Sequence, residues 1–189
     1  MGAAWLGGLV LRGIGFALVA DDALESADAI VLAVDSGPAG VREAAALVRR
    51  GISDRVVVFP EALNGNGSTE TETEQRFERR LQALADFGLE HATVLPAVRG
   101  TTDAGPALAA WCRSEGVRSI VVVSLPDHSR RMRRVLRRAF RDSPTRVMVR
   151  AAPYGLFDPE TWWHHGTGIR IAFRELAKLV VDVAVHPMS

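Results

Sequence analysis

The chain is 189 residues long, 48% hydrophobic and 24% charged, the size and make-up of one globular domain with one sizeable core. Its formal net charge of +1 excludes a global field that would draw it to nucleic acid or to anionic lipid. A single cysteine, Cys112, excludes an internal disulfide.

Residues 1–20 are apolar, but Arg12 interrupts them and five glycines weaken a helix there. A spanning helix wants about 20 uninterrupted apolar residues, and a secretory signal wants basic residues ahead of its apolar stretch. The segment therefore reads as a short apolar helix or strand packed on the domain. The alternative is a membrane-proximal remnant giving association with a membrane. No interior segment is apolar enough to span a bilayer.

Residues 21–189 alternate short β-branched runs with longer amphipathic stretches, the pattern of βαβ units. Ala29–Val34 (AIVLAV) predicts a strand buried on both faces. After the turn Ser36-Gly37-Pro38, Val41–Arg50 predicts a helix with Ala44, Leu47 and Val48 inward, ended by Gly51. Arg55–Phe59 is the second expected strand, and Asn64–Ser68 reads as a glycine- and asparagine-rich loop. Glu70, Glu72 and Glu74 open a helix reaching to about Phe87, as carboxylates favour a helix N-terminus. His91–Leu95 is the third strand; Thr101-Thr102-Asp103 are expected to cap a helix to about Glu115. Arg118–Ser124 is the fourth strand, and Asp127 is expected to cap an arginine-rich helix from His128 to about Arg141. Arg146–Arg150 and a helix from about Ile169 to Val185 complete the chain. The expected architecture is a Rossmann-like three-layer α/β/α sandwich around a mostly parallel five-stranded sheet, in one domain.

Several familiar chemistries have no carrier. No G-x-G-x-x-G follows the first strand, no Walker loop exists, and the only lysine is Lys178. No G-x-S-x-G elbow is present. No zinc-ligand spacing occurs, since His164 and His165 are adjacent and do not face one ion together from a helix. No resident metal is expected, and no cofactor is named by these motifs.

Ligands of open parallel sheets sit beyond the C-terminal strand ends, and three such ends carry polar groups: Asp35-Ser36-Gly37, Gly100–Asp103 and Ser124–His128. Helix starts offer free N–H donors to an anion, and Thr101, Thr102 and Ser124 add hydroxyls. His128 and Arg131, three apart, share a helix face; Arg131 is suited to grip a phosphate or carboxylate. His128 at a helix start is expected to favour its neutral form and to serve as a general base, with Asp35 orienting a water or a metal ion. Each has a plainer reading as well: Thr102 and Asp127 as caps, His128 as a loop hydrogen-bonding group, and Trp162-Trp163 as edge packing or a lid. Cys112 reads as core. Arg130, Arg133, Arg134, Arg137, Arg138 and Arg141 read as a solvated face; no aromatics interleave with them, which argues against nucleic acid.

Ala27–Leu32 with its lead-in Gly15–Asp22, Thr101-Thr102-Asp103, Ser124–Arg131 with its H-x-x-R, and Trp162-Trp163 followed by Arg170, Glu175 and Lys178-Leu179 together resemble the bacterial SanA/YdcF/ElyC family. The resemblance covers nearly the whole chain. It implies a Rossmann-like domain at the bacterial inner membrane or envelope, linked to peptidoglycan or polyprenyl-phosphate metabolism, with one branch associated with S-adenosylmethionine. His128, Arg131, Thr102 and Glu175 are the site positions it carries over. The chain departs from the family pattern where Asp35-Ser36 replace a glycine pair and Ala104-Gly105 follow the threonines. Two functions follow as expectations. The first is an envelope-associated protein binding or acting on a small phosphate-bearing ligand (a polyprenyl phosphate or nucleotide), as a phosphate-ester hydrolase or transferase if it is an enzyme. The second is a non-catalytic cofactor-binding or interaction module in the cytoplasm.

Overall fold

The computed structural model describes residues 2–60 and 69–187, with side chains from residue 7 onward; the expected loop Asn64–Ser68 lies outside them. Five strands, β1 (Ala29–Leu32), β2 (Val56–Val58), β3 (Thr93–Val94), β4 (Ser119–Ser124) and β5 (Arg146–Ala151), form one sheet in the order β3-β2-β1-β4-β5. Every neighbouring pair runs parallel. Because strand side chains alternate between faces, the same strands supply two cores. Ala29, Val31, Val57, Ile120, Val122 and Val149 pack beneath α4 (Thr101–Glu115) and α5 (Pro126–Ala139). Ile30, Leu32, Val56, Val58, Val121 and Val123 pack beneath α2 (Gly37–Arg49) and α3 (Glu70–Ala85). Apolar runs without polar alternation are therefore what a sheet covered on both faces requires, and the three-layer α/β/α expectation is met.

The helix ends differ from expectation in two informative places. The residue before α4 is Gly100, at φ 138°, and no side chain caps that helix; Thr101 and Thr102 are its first two residues. α5 begins at Pro126, after Leu125, again with no side-chain cap. Proline already suits a first helical position, having no N–H to satisfy, so the Asp127 carboxylate is not used as a cap. α3, in contrast, carries a full capping box in which Thr69 and Glu72 bond each other's backbone N–H.

Gly2–Leu18 is a 17-residue helix, α1. It packs against α5 and α6 (Gly166–Val185). Leu18 is buried with Phe157, Trp162 and Ala172, and the Trp162 indole donates to the Leu11 carbonyl at 2.9 Å. Trp162 meets Trp163 edge-on at 6.0 Å, so this pair is packing rather than a lid. No helix among the described residues is long and apolar enough to cross a membrane. The expected membrane association through the N-terminus, and the inner-membrane placement that went with it, are corrected accordingly: α1 is 17 residues long with Arg12 inside it, and it lays Leu11, Ile14 and Leu18 on the domain's own helices while Leu9, Val10 and Phe16 stay exposed.

Between α1 and β1 the chain runs along β5. The Asp22 amide donates to the Val149 carbonyl at 2.8 Å, while the carboxylates of Asp22 and Asp21 accept from the Val149 and Ala151 amides. Asp28 accepts from the Arg118 and Ser119 amides at 2.7 and 2.9 Å, which holds its carboxyl below the usual range and pins the start of β4 beside β1. Replacing Asp28 with alanine is expected to cost about 1–2 kcal/mol, the net worth of charge-assisted hydrogen bonds at a surface, read as a lower urea midpoint with an unchanged slope.

Three of the arginines expected on a solvated face, Arg133, Arg134 and Arg138, have intramolecular partners. Arg133 pairs with Asp22 at 2.6 Å, and Arg134 and Arg138 both bond Asp182 at 2.6 Å. These bonds tie α5 to its neighbours, so these three arginines are not the solvated face expected of them. Cys112 is buried, and burial pushes its thiol up to about 11.

Candidate functional site

The strand order makes the crevice. From β1 the chain steps outward through β2 to β3, then α4 carries it back to β4 on the other side of β1. The point where the order reverses lies between the C-terminal ends of β1 and β4, and a crevice opens there in folds of this kind. Asp35 sits in the 3-10 turn Val34–Ser36 just after β1, and His128 in the first turn of α5 just after β4.

Those two side chains meet. The Nε2 atom of His128 is 3.3 Å from Asp35 Oδ2 and 3.8 Å from Asp127 Oδ2. On the other side of the ring, Nδ1 is 2.7 Å from Glu175 Oε2. Glu175 comes from α6 and is 1% exposed, while His128 is 7% exposed. The short Nδ1 distance assigns that nitrogen as the donor to Glu175, because a carboxylate accepts only. Arg131 Nη2 stands 3.4 Å from the same Glu175 oxygen and 3.0 Å from Nδ1; with Nδ1 donating, the arginine and the imidazole are two donors converging on one carboxylate. Lys178 Nζ and Arg174 Nε bond the other Glu175 oxygen at 2.9 and 3.2 Å.

The charges follow from this geometry. Burial is the largest influence on His128 and lowers its pKa, but the Glu175 hydrogen bond and the charges of Asp35, Asp127 and Glu175 outweigh it, so the pKa is raised. The expectation of a neutral imidazole is thus corrected: three carboxylates exceed the field of one helix start. Burial also dominates at Asp127 and raises its carboxyl. At Glu175 burial again pushes upward, yet the bonds and charges of His128 and Lys178 prevail and hold the carboxyl at about 2.

The remaining expected residues divide. Ser124 is fully buried at the end of β4, and its hydroxyl has no hydrogen-bond partner among the described residues. Ser36 is equally buried but occupied: its Oγ donates to the Ala33 carbonyl and accepts from Arg80. It braces the turn. Gly37 has φ 50°, where a side chain would be strained, and borders a cavity of about 430 Å³ between α2 and α3. Asp35 opens onto the same cavity. Thr102 lies elsewhere, beside Arg131 and Lys178 in a groove of about 420 Å³ along α6. Thr101 begins α4 and is half-buried. The structure therefore gathers Asp35, His128, Arg131 and Glu175 and leaves the threonines to one side.

Two sets of residues were not anticipated as site members. Asp127 read as a cap yet turns inward beside Nε2. Arg76, Arg79 and Arg80 of α3 line the 430 Å³ cavity with Phe59 and Phe77; the signal available was the spacing of Arg76 and Arg80, four apart and so on one helix face. Arg80 bonds the Ala33 and Val34 carbonyls at 2.6 and 3.2 Å, and burial lowers its guanidinium to about 10 against the pull of Asp35. No protein-family model matches the chain, and no curated protein matches it.

Proposed function

We propose that this chain is a divergent SanA/YdcF/ElyC-like domain that binds a phosphate-bearing small molecule of nucleotide size in the cavity between α2 and α3. The observation that carries the reading is one cavity with three arginines, the start of α2 and Asp35 on its walls, with His128 Nε2 standing 3.3 Å behind Asp35. Its volume falls in the range of small-ligand sites. Arg76 and Arg79 supply exposed positive charge, and the start of α2 adds a favourable dipole for an anion. Phe59, Phe77 and Val41 give an apolar wall for the rest of the ligand. Glu175 fixes the imidazole, so Nε2 is the atom that takes or gives a proton at the Asp35 end.

A second reading, a cofactor-binding module without turnover, is favoured by Asp35 itself. Its buried Oδ1 has no partner among the described residues, and a carboxylate there accepts from a hydroxyl or a cation and repels a phosphate. Arg131 also points at Glu175 rather than at the cavity.

Thermal unfolding separates the two readings. With orthophosphate, pyrophosphate or nucleoside phosphates at a hundredfold their dissociation constants, about 2.7 kcal/mol of stabilisation is expected, lost in an Arg76→Ala/Arg79→Ala variant. Stabilisation by S-adenosylmethionine alone, abolished by Asp35→Asn, supports the module reading. Unchanged melting across the whole panel overturns both.

A further inference from the structure

The last helix is apolar on two sides. One side of α6 turns to the domain: Ile171, Ala172, Leu176 and Leu179 pack in the cluster of Leu18 and Trp162, and Glu175 and Asp182 reach α5. The other side carries Ile169, Phe173, Val180, Val181, Val183 and Val185, all exposed, Phe173 at 67% and Val180 at 66%. A helix that is apolar all round belongs in an interior, and nothing in the described chain covers this half of α6.

The exposed residues are ordered. Ile169, Phe173, Ala177, Val180 and Ala184 recur at intervals of four, four, three and four, and all five are exposed. Alternating steps of three and four make the seam along which two helices interlock. Alanine at two of the five positions leaves room for a second backbone to come close. The six large side chains leave about 500 Å² of apolar surface open, at the upper end for one patch on a monomer. Covered by a second copy, that becomes about 1,000 Å² in all, enough for a specific interface of modest affinity.

The charges decide the orientation. The exposed charged residues of α6 are Arg170, Arg174 and Lys178, all basic and all ahead of Leu179. Parallel pairing would set Arg170 against Arg170 and Arg174 against Arg174. Antiparallel pairing about Ala177, midway between Ile169 and Val185, avoids this. Arg170 lies seven residues from Ala177, so the two copies of it stand about 21 Å apart at about 1.5 Å per residue, beyond the screening length of physiological salt. Each Arg170 then lies beside the last turn of the facing helix, its negative end, and that turn holds no basic residue. The same register seats Phe173, about 6 Å from Ala177 in one direction, between the partner's Val180 and the partner's Ala184, which stand about 4.5 and 10.5 Å away in the other.

We propose that this chain forms a two-fold symmetric dimer in which the exposed faces of two α6 helices pack antiparallel and cross at Ala177. A two-fold pair uses one patch twice, as a single self-complementary stripe requires. A lipid surface is the competing occupant, because basic residues flank the stripe. Helices that lie in a bilayer surface present tryptophan, phenylalanine and leucine, whereas this stripe is valine, isoleucine and alanine around one phenylalanine.

The test is sedimentation of the full chain across the micromolar range. The mass is expected to rise from one chain to two and no further, because a two-fold pair closes on itself. Phe173→Asp and Val180→Asp, both at exposed positions, are expected to keep the circular-dichroism spectrum and melting temperature of the dilute parent and to stay single chains throughout. Oxidative cross-linking reads the orientation. It is expected to join two copies of an Ala177→Cys variant, where the positions face each other within disulfide reach, and not two copies of Arg170→Cys; Cys112 is buried and takes no part. A single chain throughout the series, a dimer that survives either aspartate, or cross-linking through Arg170→Cys overturns the proposal. So does capture by phosphatidylglycerol vesicles of a protein that stays monomeric without them. Where an aspartate variant fails to fold, the parent's concentration series and the cross-linking pair carry the test.

Discussion

Replacing Glu175 with alanine is expected to lower folding stability by about 3–5 kcal/mol, because removing one member of a buried ion pair leaves the other uncompensated. The stranded partner is His128, whose Nδ1–H loses its acceptor in a site where the ring is 7% exposed. Arg131 and Lys178 lose the same carboxylate. Glu175→Gln is expected to cost less, since the amide oxygen still accepts from Nδ1. Urea denaturation of the three proteins at neutral pH measures both differences.

The same pair sets a pH window. The Glu175 carboxyl is held at about 2 against an ordinary 4.5, so its contribution is complete above 4.5 and is lost as the pH falls toward 2. His128 is shifted the other way, above its ordinary 6.5; its contribution is complete below 6.5 and is lost as the pH rises through the raised value. Asp127, whose carboxyl is raised by burial, acts against Glu175 in acid, because protonation relieves its burial. Stability is therefore expected to be greatest between about pH 4.5 and 6.5. Glu175→Gln should flatten the acid limb. A parent protein equally stable at pH 3 and pH 6 would contradict the assignment.

The second large effect is expected at Trp162. Truncation to alanine should cost about 3–5 kcal/mol, the range for a buried aromatic side chain, and should also loosen α1. The indole is the contact between α1 and the 3-10 turn Trp162–His164: it donates to Leu11, packs with Leu18, and stands so close to Gly15 that a Cβ there would come within 2.8 Å of its ring. Limited trypsin digestion reads the loosening. Cleavage at Arg12 should accelerate in the variant, while cleavage within α5, held by Asp22 and Asp182, should not.

Why the fold could be read ahead of the site is visible in particular residues. Ile30 and Val31 face opposite cores yet are both wholly buried, and a strand with two covered faces announces itself as an unbroken apolar run. The crevice was also legible, since alternating strands and helices place Asp35 and His128 at neighbouring strand ends. Direction was not. His128 and Arg131 do share a face of α5, but Arg131 turns to Glu175, which lies 44 residues further on. Asp127 has the sequence context of a helix cap, and only the proline before it, which makes a cap unnecessary, frees it to turn inward. The arginines of α3 lie amid glutamates and resemble a solvated face; their relation to the cavity depends on how α3 leans over α2, and no local pattern encodes that.

The stretch joining α1 to β1 has a consequence for self-association. Pairing along an open margin is how folded sheets recruit further chains, and Asp21 and Asp22 occupy the outer amides of β5 with charged groups that a foreign strand would have to displace. The opposite margin, β3, is only two residues long, too short a template for another backbone to grow on. Replacing Asp21 and Asp22 with alanine would strip the first of these guards while leaving α1 in place, so the variant should turn turbid and bind amyloid-sensitive dyes under conditions where the parent stays clear.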